Sequence, residues 1–372
     1  MQKIGILGGG QLGRMLLQAA ANYPVETFVM ENDNECPAAH LCNHFIKGDI
    51  KNFEDVYNFG KDLDAITIEI ESVNEEALVK LENEGVRVYP TPSALSIIKN
   101  KIKQKQFYKE NGIPTAEFTV TNRLNDLVNY PALFPAIHKI ALGGYDGRGV
   151  IAIQRKEDFV TGFDEPAVLE RKIDIDKEIA ILVASNGDEL VVYPPVEMIF
   201  HPLLNLLDYQ VSPADITEET TWKMEAIAVQ VVKKLGSPGV FAVEMFMDKD
   251  NNIWVNETAP RVHNSGHHTI EANFSSQFDM LWRIMLGYPL GNPKHILPAA
   301  IVNILGEENS GAANYLGLEQ VLRMENVFVH IYGKQQTKPG RKMGHVTILG
   351  ADRQELVHTA HKIKQNLKVI GT

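Results

Sequence analysis

Glu244 and Glu257 lie in two apolar runs whose spacing predicts the arms of a β-hairpin. Val240 to Met247 reads Val-Phe-Ala-Val-Glu-Met-Phe-Met, a polar turn from Asp248 to Asn252 follows, and Ile253 to Glu257 returns. Arms that are apolar on both faces belong to buried strands. Folding the turn back sets the two glutamates nearly opposite each other. Facing carboxylates inside a sheet repel unless a cation lies between them. Magnesium carrying a nucleotide phosphate answers that need, because it takes one or two carboxylates and leaves other positions for phosphate oxygens. The competing reading is two solvated charges on an edge strand. It is disfavoured because glutamate is seldom buried without a partner.

Other segments carry chemistry of their own. Gly8-Gly9-Gly10-Gln11-Leu12-Gly13 follows a predicted strand, opens a helix and is trailed by Glu31, which by spacing is a dinucleotide fingerprint. A tight turn without ligand, or an anion at the helix N-terminus, fits the same glycines. No later segment supplies a hydride-transfer site for NAD. Glu69 and Glu71 share one face at the end of a predicted central strand, where open α/β sheets bind ligands; either could hold an amine or hydroxyl, or sit on an exposed strand end. Leu142 to Gly149 holds four glycines between two strands and can present N–H groups to phosphates. Lys139, on the strand before it, can neutralise phosphate charge. Glu170 ends the predicted strand Ala167 to Leu169, and Glu178 begins Ile179 to Ala184. After Glu257 come Arg261, His263, Asn264, Ser265, Gly266, His267 and His268. The histidines invite a zinc reading, but they lack a helical i, i+4 pair, and the mixture suits a small oxyanion better. Lys334 with Arg341, Lys342 and His345 forms a basic cluster, either a phosphate site or a solvated loop.

These residues need elements to position them. Strands are predicted at residues 3–7, 26–30, 65–70 and 86–89, with helices at 12–22, 53–59 and 74–83. That alternation is an open parallel α/β sheet, closed by Pro90-Thr91-Pro92. Ser93 to Asn111 is predicted as one basic helix. Strands around the glycine loop, a helix over Glu218 to Leu235, the glutamate hairpin and a helix over Ser275 to Leu286 follow. Pro298 opens a last segment with strands at 300–304, 327–332 and 342–349 and a helix at 354–366. The expected division is 1–92, 93–297 with a glycine-loop lid at about 114–173, and 298–372.

The 372 residues suffice for two or three domains. A formal net charge of -11 argues against a general nucleic-acid binder, so basic partners for anionic substrates must be clustered locally. Two cysteines, Cys36 and Cys42, make neither a metal pattern nor a disulfide framework. With no signal peptide and no apolar run long enough to span a bilayer, the expected home is a reducing cytoplasm, away from membranes.

Taken together, Gly9 to Met15, Glu69-Ile70-Glu71, Gly143 to Gly149, Asn256-Glu257 with Ala259 to His267, and Gly340 to His345 resemble the 5-(carboxyamino)imidazole ribonucleotide synthases. These are ATP-grasp ligases of purine biosynthesis, and the resemblance runs over nearly the whole chain. It implies an N-terminal α/β (pre-ATP-grasp) domain, a two-lobed ATP-grasp fold and a small C-terminal α+β domain. It implies ATP-dependent carboxylation of aminoimidazole ribonucleotide by bicarbonate through carboxyphosphate, with Mg2+ as cofactor, and a homodimer. By position, Lys101 and Lys139 would meet ATP phosphates, and Gly144, Tyr145, Asp146, Gly147, Arg148 and Gly149 would close over them. Glu170, Arg171, Lys172 and Ile173 would line the adenine pocket, Glu178 would hold the ribose, His201 would lie near the nucleotide, and Asn256 beside it. Glu244 and Glu257 would bind the metal. Arg261, His263 and Asn264, with Lys139, would act in catalysis. Gln11, Leu12, Glu71, Tyr145, Asp146, Arg148, Lys334, Arg341 and Lys342 would hold the ribonucleotide. The N-terminal glycine turn would shape that site and bind no NAD. Asn100-Lys101 departs from the Asp-Arg common in the family, keeping a positive charge but not the bidentate fork. Alternatives are another ATP-grasp carboxylate-amine ligase or a formate-using transformylase, an NAD-dependent oxidoreductase, and an ATP-sensing scaffold.

Overall fold

The computed structural model describes residues 1–144, 149–200 and 207–372. The chain begins with five parallel strands, β1 (Gln2–Leu7), β2 (Val25–Glu31), β3 (His44–Lys47), β4 (Ala65–Ile68) and β5 (Arg87–Tyr89), in the spatial order β3-β2-β1-β4-β5. Helices α1 (Gln11–Ala20), α2 (Phe53–Gly60) and α3 (Glu75–Asn83) connect them. The interior residues Ile4, Ile6, Ala65 and Ile66 are fully buried, as strands covered on both faces require. The strand order reverses between β1 and β4, so their carboxyl ends flank a crevice. The strand predicted over 65–70 stops at Ile68, and Glu69 turns away to serve the glycine turn.

The predicted helix over Ser93 to Asn111 is two helices, α4 (Pro92–Ile98) and α5 (Lys101–Glu110). Asn100 breaks them: it is extended, and its side chain accepts the N–H groups of Ile102 and Lys103. A four-stranded antiparallel sheet follows in the order β6 (Phe118–Thr121), β9 (Ala167–Arg171), β7 (Ala136–Ile140), β8 (Val150–Ile153).

The remaining strands build one large sheet, twelve-stranded among the described residues. Its first part contains β10 (Ile175–Ser185), β11 (Leu190–Val192), β12 (Val196–Phe200), β13 (Leu207–Ser212), β14 (Gly239–Asp248) and β15 (Ile253–Ala259). Helix α6 (Glu218–Leu235) packs under β10 and β14. Its ends match the prediction because both are marked: Thr217 caps the Thr220 N–H, and Gly236 takes a φ of 61° at the C-cap. Helices α7 (Thr269–Ala272) and α8 (Gln277–Leu286) follow.

The sheet then continues into β16 (Ala299–Glu307), β17 (Gly311–Leu316), β18 (Val327–Ile331), β19 (Gln336–Thr337), β20 (Lys342–Leu349) and β21 (Lys368–Gly371), with α9 (Leu318–Leu322) and α10 (Arg353–Asn366). Pairing of β13 with β16 makes the C-terminal segment continuous with the central one. The sequence did not announce β3, β13, β17, β19, β21, α7 or α9. No helix among the described residues is long and apolar enough to cross a membrane.

Candidate functional site

The hairpin forms with Glu244 on β14 directly opposite Glu257 on β15, followed by a bulge after Glu244. On its other side Glu244 faces Ala180 of β10. Glu178, two residues along β10, therefore shares the face of both glutamates. Burial, then the negative charge of Glu257, pushes the Glu244 carboxyl well above the usual range. The positive charge of Lys101 holds the Glu257 carboxyl well below it. Burial pushes Glu178 up to about 7. Among the described residues no group of three or more His, Cys, Asp or Glu gathers to hold a metal ion. Two opposed carboxylates, one of them reluctant to ionise, fit a divalent cation whose other positions are filled by phosphate oxygens.

Cations cover this acidic face. Lys101 and Lys105 lie one turn apart on α5, so they project on the same side. Lys101 Nζ is 2.5 Å from Glu257 Oε2. Lys139 of β7 donates to Asn256 Oδ1 at 2.8 Å and pairs with Glu170. Lys105 Nζ lies 2.7 Å from the other oxygen of Glu170 and 2.7 Å from Thr115 Oγ1. Burial opposes the Glu170 charge, but Lys105 and Lys139 together outweigh it and hold the carboxyl down at about 2. Lys101, Gln104, Lys105, Lys139, Val168, Asn256 and Glu257 line one small cavity. Sequence reasoning missed Lys105; its position four residues after Lys101 was the available signal.

The chain passes from the four-stranded sheet to the large sheet between β9 and β10. Glu170 to Ile173 thus sit at the junction of the two lobes. The Glu170 side chain, expected to line the adenine pocket, is 3% exposed and turned onto Lys105 and Lys139. Arg171 reaches Glu117 at 2.9 Å on the lobe surface, and Lys172 is exposed.

The segment after β15 sorts by burial. Arg261, His263 and Asn264 keep partial access, whereas Val262, Ser265, Gly266, His267 and His268 are buried. Arg261 pairs with Glu71 at 2.9 Å, joining this loop to the N-terminal sheet. His263 Nε2 lies 3.5 Å from Glu244 Oε1, and its Nδ1 is 2.9 Å from Ser265 Oγ. Gln277 of α8 accepts the His263 N–H and donates to its carbonyl, both at 2.8 Å. A Cβ on Gly266 would stand 2.4 Å from Leu182 and 2.6 Å from Gln277 Oε1, so only glycine lets the loop lie this close.

The N-terminal glycine turn is occupied by the protein's own acids. Glu31 accepts the Gly9 N–H at 3.1 Å, and Glu69 accepts those of Gly10 and Leu12 at 3.0 and 3.1 Å. A pyrophosphate at this helix N-terminus would have to displace both carboxylates. Leu12, expected beside the ribonucleotide, packs its side chain into the core at 7% exposure and has given its N–H to Glu69. Gln11 does face the crevice side: Lys334 donates to its Oε1 at 2.9 Å and to the Lys342 carbonyl at 2.8 Å. Lys342 is near enough to Glu244 for its charge to favour the ionised carboxylate. Arg341 donates to the Gln336 carbonyl at 2.7 Å. The structure therefore brings Gln11, Glu71, Lys334 and Lys342 toward the same crevice as Glu244 and Arg261. Gly144 and Gly149 bracket the loop residues Tyr145, Asp146, Gly147 and Arg148, which, like His201, lie outside the described residues.

Three family models match the chain in succession. The ribonucleotide synthetase preATP-grasp domain matches residues 1–99, the ATP-grasp domain residues 106–278, and the phosphoribosylaminoimidazole carboxylase C-terminal domain residues 299–359. The chain is 37% identical to the chloroplastic phosphoribosylaminoimidazole carboxylase of Vigna aconitifolia over 94% of its own length, but spans only 64% of that longer protein. The crystal structure of N5-carboxyaminoimidazole ribonucleotide synthetase from Thermotoga maritima is similar over 100% of both chains, with a TM-score of 0.93 and 37% identity. The Aspergillus clavatus N5-carboxyaminoimidazole synthase, solved with ADP and 5-aminoimidazole ribonucleotide, is 31% identical over 98% of each chain, with a TM-score of 0.89.

Proposed function

The chain belongs to the N5-carboxyaminoimidazole ribonucleotide synthase family of ATP-grasp ligases, and on that premise we propose that it joins bicarbonate to the amine of 5-aminoimidazole ribonucleotide at the expense of ATP. The observation that carries this reading is the opposed pair Glu244 and Glu257, with Lys101 on Glu257, Lys139 on the adjacent Asn256 and His263 beside Glu244. The three-part division at residues 92 and 297 belongs to the same reading.

Bicarbonate is a poor electrophile. Transfer of the ATP γ-phosphoryl group to it gives carboxyphosphate, which delivers its carboxyl carbon to the amine and releases phosphate. Glu244 and Glu257 would hold Mg2+, which when bound offsets charge on the transferring phosphoryl oxygens. Lys101 and Lys139 contribute further positive charge at the phosphates once they leave their carboxylate partners. Arg261, His263 and Asn264 hold bicarbonate and the oxyanion made from it. Glu178, on the same face and two residues further along β10, receives the ribose hydroxyls. Gln11, Glu71, Lys334, Arg341 and Lys342 orient the ribonucleotide so that its amine faces the carboxyl carbon. The segment between Gly144 and Gly149 would cover the phosphates and keep water from the labile intermediate. A cytoplasmic homodimer completes the reading.

The deciding experiment measures ADP release with bicarbonate, with and without aminoimidazole ribonucleotide. Turnover that requires both supports the reading. Turnover with formate in place of bicarbonate would point to a transformylase, and a melting temperature raised by NADH but not by ATP would point to an oxidoreductase.

A further inference from the structure

Four rings stack behind the catalytic loop: His267, Tyr332 and His345 are buried and His330 is partly buried, so His345 is not part of the solvated basic cluster its spacing suggested. His267, which ends that loop, is 1% exposed and its ring centroid is 4.8 Å from that of His345 on β20. His345 stacks in turn on His330 of β18, at 4.4 Å and an interplanar angle of 10°. Tyr332 fixes the middle ring through a 2.9 Å hydrogen bond between its hydroxyl and His345 Nδ1. Glu271 of α7 fixes the outer ring, with Oε1 2.7 Å from His330 Nε2. Burial keeps the rings of His267 and His345 neutral, which lets them pack at a 34° tilt without mutual repulsion.

The position of this stack matters more than its composition. The His263–His267 segment is gripped from one side by Gln277, which holds the His263 backbone through two hydrogen bonds. On the other side it is gripped through His267 by strand β20. The same strand begins with Lys342, three residues before His345, and Arg341 immediately precedes it. One rigid element thus carries Lys342, a cation assigned to the ribonucleotide, and the ring that presses on the loop assigned to carboxyphosphate. We propose that Tyr332 and His345, with His330 and Glu271 behind them, are positioning residues that set the carboxyphosphate loop in register with the ribonucleotide site. This rests on the functional reading given above. Two reactants held on separate elements need such a link, because a misplacement of about 1 Å can cost on the order of 100-fold in rate.

The test uses the full-length enzyme and two variants, Tyr332→Phe and His345→Phe. The first removes a single oxygen and keeps its ring. The second keeps an aromatic ring against His267 but loses the hydrogen bond. ADP released and aminoimidazole ribonucleotide consumed are measured side by side, together with KM for each substrate and the melting temperature. The wild-type ratio of ADP to carboxylated product is expected near unity. A loop out of register still makes carboxyphosphate but loses it to water, so both variants are expected to raise that ratio by about fivefold or more, with KM for ATP within about twofold. A ratio that stays at unity overturns the proposal, whether the rates are normal or fall together with the melting temperature. A wild-type enzyme whose ADP release ignores bicarbonate and the amine would sink the functional reading itself, and is told apart by the wild-type data alone.

Discussion

Glu170 is a carboxylate enclosed by two ammonium groups, and the cost of disturbing it follows from burial. With Lys105 and Glu170 at 4% and 3% exposure, removing one partner leaves the other's charge inside the protein without compensation. Glu170→Gln is expected to lower stability by about 3 kcal/mol in urea denaturation. Unchanged stability would mean that water reaches the lysines. Glu257→Gln acts differently: the fold survives, as judged by circular dichroism, while ADP release falls by at least about 100-fold because a metal ligand is lost. Near-normal release would remove Glu257 from the metal site. His138 on β7 supplies one share of the pH dependence, beside His267, His268, His295 and His345, which burial also lowers. It is fully buried, holds Thr121 at 2.9 Å and accepts the Phe163 N–H at 3.2 Å. Burial lowers it from 6.5 to about 4. As pH falls below 6.5 the unfolded chain takes up a proton that the folded chain refuses, so stability drops until the folded ring titrates near 4. The full effect is about 3 kcal/mol. His138→Gln should make the fall in melting temperature over that range shallower than in wild type, and an equally steep acid limb in the variant would show that His138 has no share in it.

At the level of elements, Asn100 starts the helix that carries Lys101 and Lys105. Its Oδ1 accepts two backbone N–H groups, at 2.9 and 3.2 Å. Asn100→Ala is expected to cost about 1 kcal/mol, whereas Asn100→Asp, also a good cap, should stay within about 0.5 kcal/mol of wild type. Equal losses in the two would show that the side-chain oxygen is not the cause. The same residue shows why the predicted helix was drawn too long: neither proline nor glycine marks the break, and the capping role of Asn100 appears only once the two helices diverge. By contrast α6 was readable to the residue because Thr217 and Gly236 mark both ends. The glutamate hairpin was readable because its arms are apolar on both faces around a polar turn. Strand β17, Gly-Ala-Ala-Asn-Tyr-Leu, has little strand propensity of its own and is made by pairing with β21 and β19.

Across the whole molecule, the site is assembled by contacts between distant segments. Arg261 meets Glu71, and Lys334 meets Gln11, 323 residues away in sequence. Spacing cannot reveal such pairs, and the resemblance to a family, not periodicity, brought these residues together on paper. Even so it placed Leu12, whose side chain packs into the core, beside the ribonucleotide, and it passed over Lys105. Lys334→Ala is expected to raise KM for aminoimidazole ribonucleotide by about tenfold while leaving KM for ATP unchanged. A parallel rise in both would place Lys334 in general support of the cleft.

The pairing of Lys101 with Glu257 and of Lys139 with Glu170 has a consequence for how cargo is admitted. Each ammonium expected to greet a phosphate is already wedded to a carboxylate. A polyphosphate that came alone would draw Lys101 off and strand Glu257 beside Glu244 with no cation between them. A divalent ion that came alone would evict Lys101 and leave it facing other lysines. Only joint entry leaves every charge with a companion, so on the proposed reading the cleft would select the metal–nucleotide complex over its separate parts through electrostatics.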